Sequence, residues 1–131
     1  MRLSKALVLF FGLLGFWASC SSPTPEELAS LAAKGYYEHL IRGEYDAFLE
    51  GKAGSDSLPE IYREQLLTAY RQFMAQQESA HHGIREVRVS RASTDTLQAY
   101  TDVFLVLCYG DSVNEEIVVP MVEYKGSWRM K

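Results

Sequence analysis

The chain has 131 residues and a net charge of −4, which allows one small domain and gives the wrong sign for holding nucleic acid or an anionic membrane surface by charge. No P-loop, Ser-His-Asp spacing, CxxC or dinucleotide-type glycine pattern is present, so no cofactor is expected. There are no internal repeats and no low-complexity segment.

The chain opens with Arg2 and Lys5, then the apolar run Ala6–Trp17 and the small residues Ala18-Ser19 before Cys20. A charged head, a short apolar stretch and small residues at its exit make a signal peptide of residues 1–19, and the run is too short and too early to prefer a spanning helix. Trp17-Ala18-Ser19-Cys20 resembles a bacterial lipobox, in which the cysteine is lipidated and becomes the new N-terminus. Ala18, Ser19 and Cys20 fit that pattern. Trp17 departs from it, since an aliphatic residue is usual there, and ordinary signal cleavage is the alternative. The resemblance implies an acylated, palmitate-bearing Cys20 on a tether of residues 20–24. By analogy with lipoprotein sorting, Ser21 in place of Asp implies the outer membrane of a Gram-negative bacterium.

Cleavage before Cys20 removes Arg2 and Lys5 and makes the remainder more acidic, so membrane contact is expected through lipid alone. With Cys20 used as the anchor, Cys108 has no partner for an intramolecular disulfide and reads as a small apolar filler of a strand.

Thr24-Pro25-Glu26-Glu27 predicts a helix start: Thr24 caps, Pro25 suits the first helical position and Glu27 completes a capping box. Leu28, Leu31, Ala32, Tyr36, Tyr37, Leu40 and Ile41 follow at helical spacing, and Gly43 breaks the helix. Glu44–Glu50 predicts a short helical turn with Tyr45, Phe48 and Leu49 inward, and Gly51–Asp56 a loop. Ser57-Leu58-Pro59-Glu60 reads as a second capping box. The helix it starts carries Ile61, Tyr62, Leu66, Ala69, Tyr70 and Phe73 on one side, with His81 and His82 in its last turn and Gly83 at its C-cap.

Ile84–Arg91 alternates as a half-exposed strand with Val87 and Val89 on one side, and Ala92–Thr96 reads as a turn. Gln98–Tyr109 and Glu116–Tyr124 are β-branched, aromatic runs. Lys125-Gly126 is a two-residue turn into Ser127–Lys131. That turn pairs Tyr124 with Ser127, Glu123 with Trp128 and Met121 with Met130. Ile117, Val119, Met121, Trp128 and Met130 then share a core face, where Trp128 is expected to be largely buried. Pro120 cannot donate to a ladder and marks a bulge or a gap in pairing. Helices followed by an antiparallel meander mean an α+β domain over residues 25–131, with the two long helices laid across one face of a twisted sheet.

This order resembles small nuclear-transport-factor-two-like, or cystatin-like, domains of bacterial lipoproteins of unknown function. The local patterns that carry the likeness are Tyr36–Phe48 with its break at Gly43-Glu44-Tyr45, the strand ending Cys108-Tyr109-Gly110-Asp111, and the Lys125-Gly126 turn before Trp128. The resemblance implies a curved sheet wrapping a helix into a cone with a pocket at its open end. It implies no single chemistry, because such folds host enzymes, binders and assembly modules alike.

Adjacent histidines on a helix point about 100° apart, so His81 and His82 do not share a metal, and no metal site is expected. They are expected away from the sheet, and a helix C-terminus accounts for them. His39 reads as a boundary residue that would need a carboxylate in reach to act as a base. Glu123, beside Trp128 on the core face, is the foremost acid, since a carboxylate on an apolar wall has a raised pKa. Asp102 is a weaker candidate, expected on the opposite side of the sheet from Glu123. The tyrosines Tyr36, Tyr37, Tyr45, Tyr62, Tyr70 and Tyr100 serve a core equally well. The expected ligand pocket is Tyr36, Tyr37, Tyr70, Glu123 and Trp128. The expected function is a lipid-anchored, non-catalytic envelope domain binding a small apolar ligand or an envelope protein, with a pocket-carboxylate hydrolase, dehydratase or isomerase as the alternative.

Overall fold

The computed structural model describes residues 22–131. The leader, Cys20 and Ser21 lie outside the described residues. Among the described residues, three helices precede a four-stranded antiparallel sheet: α1 (Pro25–Ile41), α2 (Tyr45–Glu50), a 3₁₀ turn (Ser55–Ser57), α3 (Glu60–His81), then β1 (Ile84–Asp95), β2 (Tyr100–Tyr109), β3 (Asn114–Tyr124) and β4 (Ser127–Met130). The sheet is a meander in the order β1-β2-β3-β4. The fold is the α+β architecture expected.

Thr24 caps α1, its Oγ1 accepting the Glu27 N–H at 3.2 Å, with Pro25 at the first helical position. The helix ends at Gly43, whose φ of +76° an L side chain resists. The second capping box does not form. Ser57 closes the 3₁₀ turn, and α3 starts at Glu60 behind Pro59 with no side-chain cap. At the other end of α3, His82 takes the left-handed C-cap position at φ 59°, and the Gly83 N–H reaches back to the Gln77 carbonyl.

One long helix, not two, lies across the sheet. Ala29 and Ala33 are fully buried and Leu40 nearly so, because small side chains let α1 approach all four strands. By contrast α3 buries no residue completely. It touches α2 and β1 and leaves Ile61 74% exposed. Leu49, Val103, Leu105 and Met121 are fully buried, and each such side chain stabilises the fold by roughly 1.5–3 kcal/mol. Thr101, a buried polar residue of the core, is matched by a hydroxyl relay: its Oγ1 lies 3.0 Å from Thr94 Oγ1, which donates to Glu26 Oε1 at 2.7 Å.

The strand β1 runs to Asp95, through most of the expected Ala92–Thr96 turn. A register shift between Val89 and Arg91 breaks its two-residue alternation, so its second half no longer reads as a strand of the same phase. Asp95 Oδ1 then accepts the N–H groups of Leu97 and Gln98 and makes the turn.

The β3–β4 register is the expected one: Met121 opposite Met130, Glu123 opposite Trp128, Tyr124 opposite Ser127. Lys125 and Gly126 both take positive φ, 49° and 84°, as the tight hairpin turn requires. Pro120 sits opposite Asp102 in an unbroken β2–β3 ladder, with no bulge. Its missing donor faces the β4 side, where pairing stops: the Lys131 N–H donates to the Pro120 carbonyl at 2.9 Å, and β4 ends there. The outer edge of β4 is held by Gly51-Lys52-Ala53, whose Gly51 carbonyl accepts the Met130 N–H and whose Ala53 N–H donates to the Met130 carbonyl.

Candidate functional site

A cavity of about 260 Å³ opens where β4 ends, between the helices and the edge of β3. Its lining comes from every layer: Tyr37 of α1, Phe48 of α2, Lys52 of the following loop, Tyr70 of α3, Val118, Val119 and Pro120 of β3, and Met130 and Lys131. The Phe48 ring joins the two tyrosines, standing edge-on to Tyr37 at 5.2 Å and to Tyr70 at 4.9 Å. Burial pushes the Tyr37 phenol above its ordinary value, and Tyr70 beside it adds to the effect. Burial likewise raises Tyr70, with Tyr62 contributing. Both stay protonated donors at neutral pH. Among the described residues, no Asp, Glu, His or Cys side chain lines this cavity.

The structure divides the sequence-predicted pocket. Tyr37 and Tyr70 line the cavity. Tyr36 does not: its hydroxyl donates to the Trp128 carbonyl at 2.6 Å, and its ring fills the space above Gly51. Trp128 is partly buried, packed against the core from the edge strand β4. Glu123 is opposite Trp128 as expected, yet it is exposed near the end of β3 and lines no part of the cavity. Asp102 lies opposite Pro120 on the other face of the sheet. Among the remaining tyrosines, Tyr45 and Tyr100 are half-buried and Tyr62 is exposed. Phe48, Lys52, Val118, Val119, Pro120, Met130 and Lys131 complete the site. Of these, Phe48 reads in sequence as an inward residue of a short helix, and Val119 and Met130 as core-face residues of the last hairpin, none of them as pocket residues.

The histidines lie elsewhere. His39 Nδ1 is 2.8 Å from Glu44 Oε1, which also accepts from Arg42 Nε at 2.8 Å. Those bonds, His39 first, hold the Glu44 carboxyl below its ordinary range. This exposed cluster bridges the α1–α2 break in an open cleft with Tyr45, Asp46 and Arg71, sharing no residue with the cavity. His81 is not away from the sheet: its Nδ1 lies 2.8 Å from Asp111 Oδ2 and its ring packs on Tyr109 at 4.6 Å, clipping the end of α3 to the β2–β3 turn. Among the described residues no group of three or more His, Cys, Asp or Glu is placed to hold a metal. Cys108 is buried on the sheet face opposite α1, and Arg88 of the neighbouring strand brings Nη2 to 3.2 Å from its Sγ, a basic partner that sequence adjacency does not show.

A second concavity, an open groove of about 470 Å³, runs between the start of α1 and β1, lined by Leu31, Val89 and Ala92 with Glu26, Glu27, Ser30 and Arg91. Leu31 is 68% exposed there, and no aromatic ring converges on it. It is a surface trough, whereas the cavity at the end of β4 gathers rings and hydroxyls from all three helical segments.

No family model and no curated protein matches this sequence. Among solved structures, the chain is similar to a Campylobacter jejuni protein whose crystal structure, at 2.00 Å resolution, names it provisionally as an NTF2-like transpeptidase. The TM-score is 0.60 at 10% identity, over 75% of this chain and 92% of that one. At that identity the likeness establishes an NTF2-like fold for this chain and carries no chemistry with it.

Proposed function

We propose that this is a lipid-anchored, non-catalytic binding domain of the bacterial envelope, whose ligand seats a small apolar group in the Tyr37–Phe48–Tyr70 cavity. The observation that carries this reading is the lining itself: three aromatic rings, Val119 and Met130 supply apolar surface, while two protonated phenols and Lys52 supply orienting donors. That is the composition of a recognition pocket, apolar with few polar groups. Catalysis needs a nucleophile or base beside a second positioned group, and among the described residues the lining offers no Asp, Glu, His or Cys side chain.

The carboxylate route finds no support in the placement of its two candidates, which belong to opposite faces of the sheet. Transpeptidation, the activity in the name of the C. jejuni protein, requires an activated nucleophile such as a cysteine or serine. Cys108 lies on the outer sheet face, away from the cavity. Anchoring is supported by Ala18-Ser19-Cys20 and by the short polar stretch Ser21–Thr24 before α1.

The test is titration of the purified chain with the uncharged apolar dye N-phenyl-1-naphthylamine. One saturable site is expected, weakened in Tyr70→Ala while circular dichroism stays unchanged. Absence of saturable binding, or binding indifferent to Tyr70→Ala, contradicts the reading.

A further inference from the structure

We infer that the tip of the β1–β2 hairpin, Thr96-Leu97-Gln98-Ala99, is a membrane contact in its own right, lowering Leu97 into a zwitterionic phospholipid interface beside the anchor. The inference rests on the lipid anchor proposed at Cys20 and goes beyond it, since a lipid on a polar tether leaves the orientation of the domain open.

The turn itself carries the first half. Leu97 is 95% exposed, against 68% for Leu31 and 42% for Leu28. The four residues of the tip bear no charge. Asp95 takes up their donors: its Oδ1 accepts the N–H groups of Leu97 at 2.9 Å and Gln98 at 3.1 Å, and its carbonyl accepts the Ala99 N–H at 3.0 Å. Ala99 makes that bond at a φ of 57°, a left-handed conformation that alanine resists. A backbone donor taken out of water without a partner is costly, and these three bring their acceptor with them. The turn thus presents one leucine at the apex of a closed, uncharged loop.

The place of the tip argues for a bilayer as its occupant. Thr94 donates to Glu26 Oε1 at 2.7 Å, which ties the hairpin to the first turn of α1. Thr24, the cap of that turn, is four residues from Cys20, and four residues span at most about 14 Å. A lipid on Cys20 therefore keeps the base of the hairpin near the bilayer surface, whatever course the tether takes. The α1–β1 groove opens beside the same Glu26 and exposes Leu31 and Val89. Because the anchor makes the contact intramolecular, the weak affinity of one leucine is enough to populate it.

Charge selects the lipid. Glu26 and Asp95 stand at the base of the tip, and the Thr94 bond holds the Glu26 carboxyl below its ordinary range. Arg91 also lines the groove, but its guanidinium lies 3.6 Å over the Phe104 ring and faces Glu116 at 3.7 Å. An acidic base of this kind is repelled by anionic headgroups and tolerated by zwitterionic ones.

The test uses the full lipidated chain in phosphatidylcholine vesicles. An NBD dye is placed on Leu97→Cys or on Ser79→Cys, each combined with Cys108→Ala, and acylated Cys20 takes no label. Ser79 is exposed near the end of α3 that His81 clips to the β2–β3 turn, at the far end of β2 from the tip. At position 97 the emission is expected to shift to the blue and to be quenched by doxyl-labelled phospholipid, and at position 79 to do neither. Vesicles of phosphatidylglycerol should diminish both effects, and undiminished quenching there overturns the choice of lipid. Emission at position 97 that neither shifts nor is quenched overturns the inference. So does a blue shift without doxyl quenching, which marks a second copy on the tip, and so does equal quenching at both positions. A chain with Cys20→Ser and an N-terminal hexahistidine, held on nickel-chelating lipid, repeats the measurement without acylation. If the native chain carries no acyl chains, the anchor reading fails, and this tethered chain still decides the tip.

Discussion

The Tyr36 hydroxyl donates to the backbone carbonyl of Trp128 at 2.6 Å, a bond that spans 92 positions of sequence and fixes α1 to the edge strand β4. It holds the wall of the cavity in place without lining it. Tyr36→Phe is expected to cost about 0.5–1.5 kcal/mol, the usual worth of such a bond, read as a lower urea midpoint with an unchanged m-value. An unchanged midpoint would show that the pairing of β4 with β3 and with Gly51–Ala53 holds it without this bond.

Gly51 is buried directly against that same ring. A Cβ built there comes within 2.4 Å of Tyr36 Cδ1, although the backbone φ of −71° suits any residue. Gly51→Ala is therefore expected to destabilise by overpacking, about 1–3 kcal/mol, and not through backbone strain. Tyr36→Ala in the same chain should relieve part of it, and a double-mutant cycle measures how much.

Trp128→Ala is expected to cost roughly 2–4 kcal/mol, somewhat less than the 3–5 kcal/mol of a fully buried aromatic, because the indole is partly exposed. Equilibrium urea unfolding of the variant, followed by circular dichroism, checks the value.

The His81 ring N–H donates to Asp111, and this bond, more than any other influence, holds the Asp111 carboxyl below its ordinary value of 3.8. A depressed carboxylate contributes stability that is present above that ordinary value and is lost as pH falls through the lower folded one. The wild type should therefore lose more stability than Asp111→Asn on acidification below about pH 4, and the two should run parallel above it. Urea midpoints from pH 2.5 to 6 test this. Parallel curves throughout would contradict it.

Cys20→Ala is expected to move the protein from the membrane fraction to the soluble fraction, as lipidation at that residue requires. Intact mass of the native protein without acyl chains on Cys20 would contradict the anchor.

Legibility from sequence followed how local each cause is. The last hairpin was readable to the residue because a two-residue turn sets every pair behind it. The end of β1 was not, since a register shift between Val89 and Arg91 erased the alternation that marks a strand. Helical spacing announced the apolar side of α3 but not what would cover it, and the structure leaves Ile61, Tyr62 and Phe73 in solvent. Of the cavity, Tyr37 and Tyr70 were foreseen as polar-tipped aromatics. Lys52, Val119 and Met130 were not, because their convergence depends on where β4 stops and how the Gly51–Ala53 loop grips it. Glu123 was placed opposite the right partner, yet its face counted for little at a strand end.

The most direct test of the cavity as the binding seat is amide chemical-shift mapping by NMR during titration with N-phenyl-1-naphthylamine. The expected perturbations centre on Tyr37, Phe48, Lys52, Tyr70, Val119 and Met130 and saturate together. Perturbations centred instead on Leu31, Val89 and Ala92 in the α1–β1 groove, or none at saturating dye, would contradict the account.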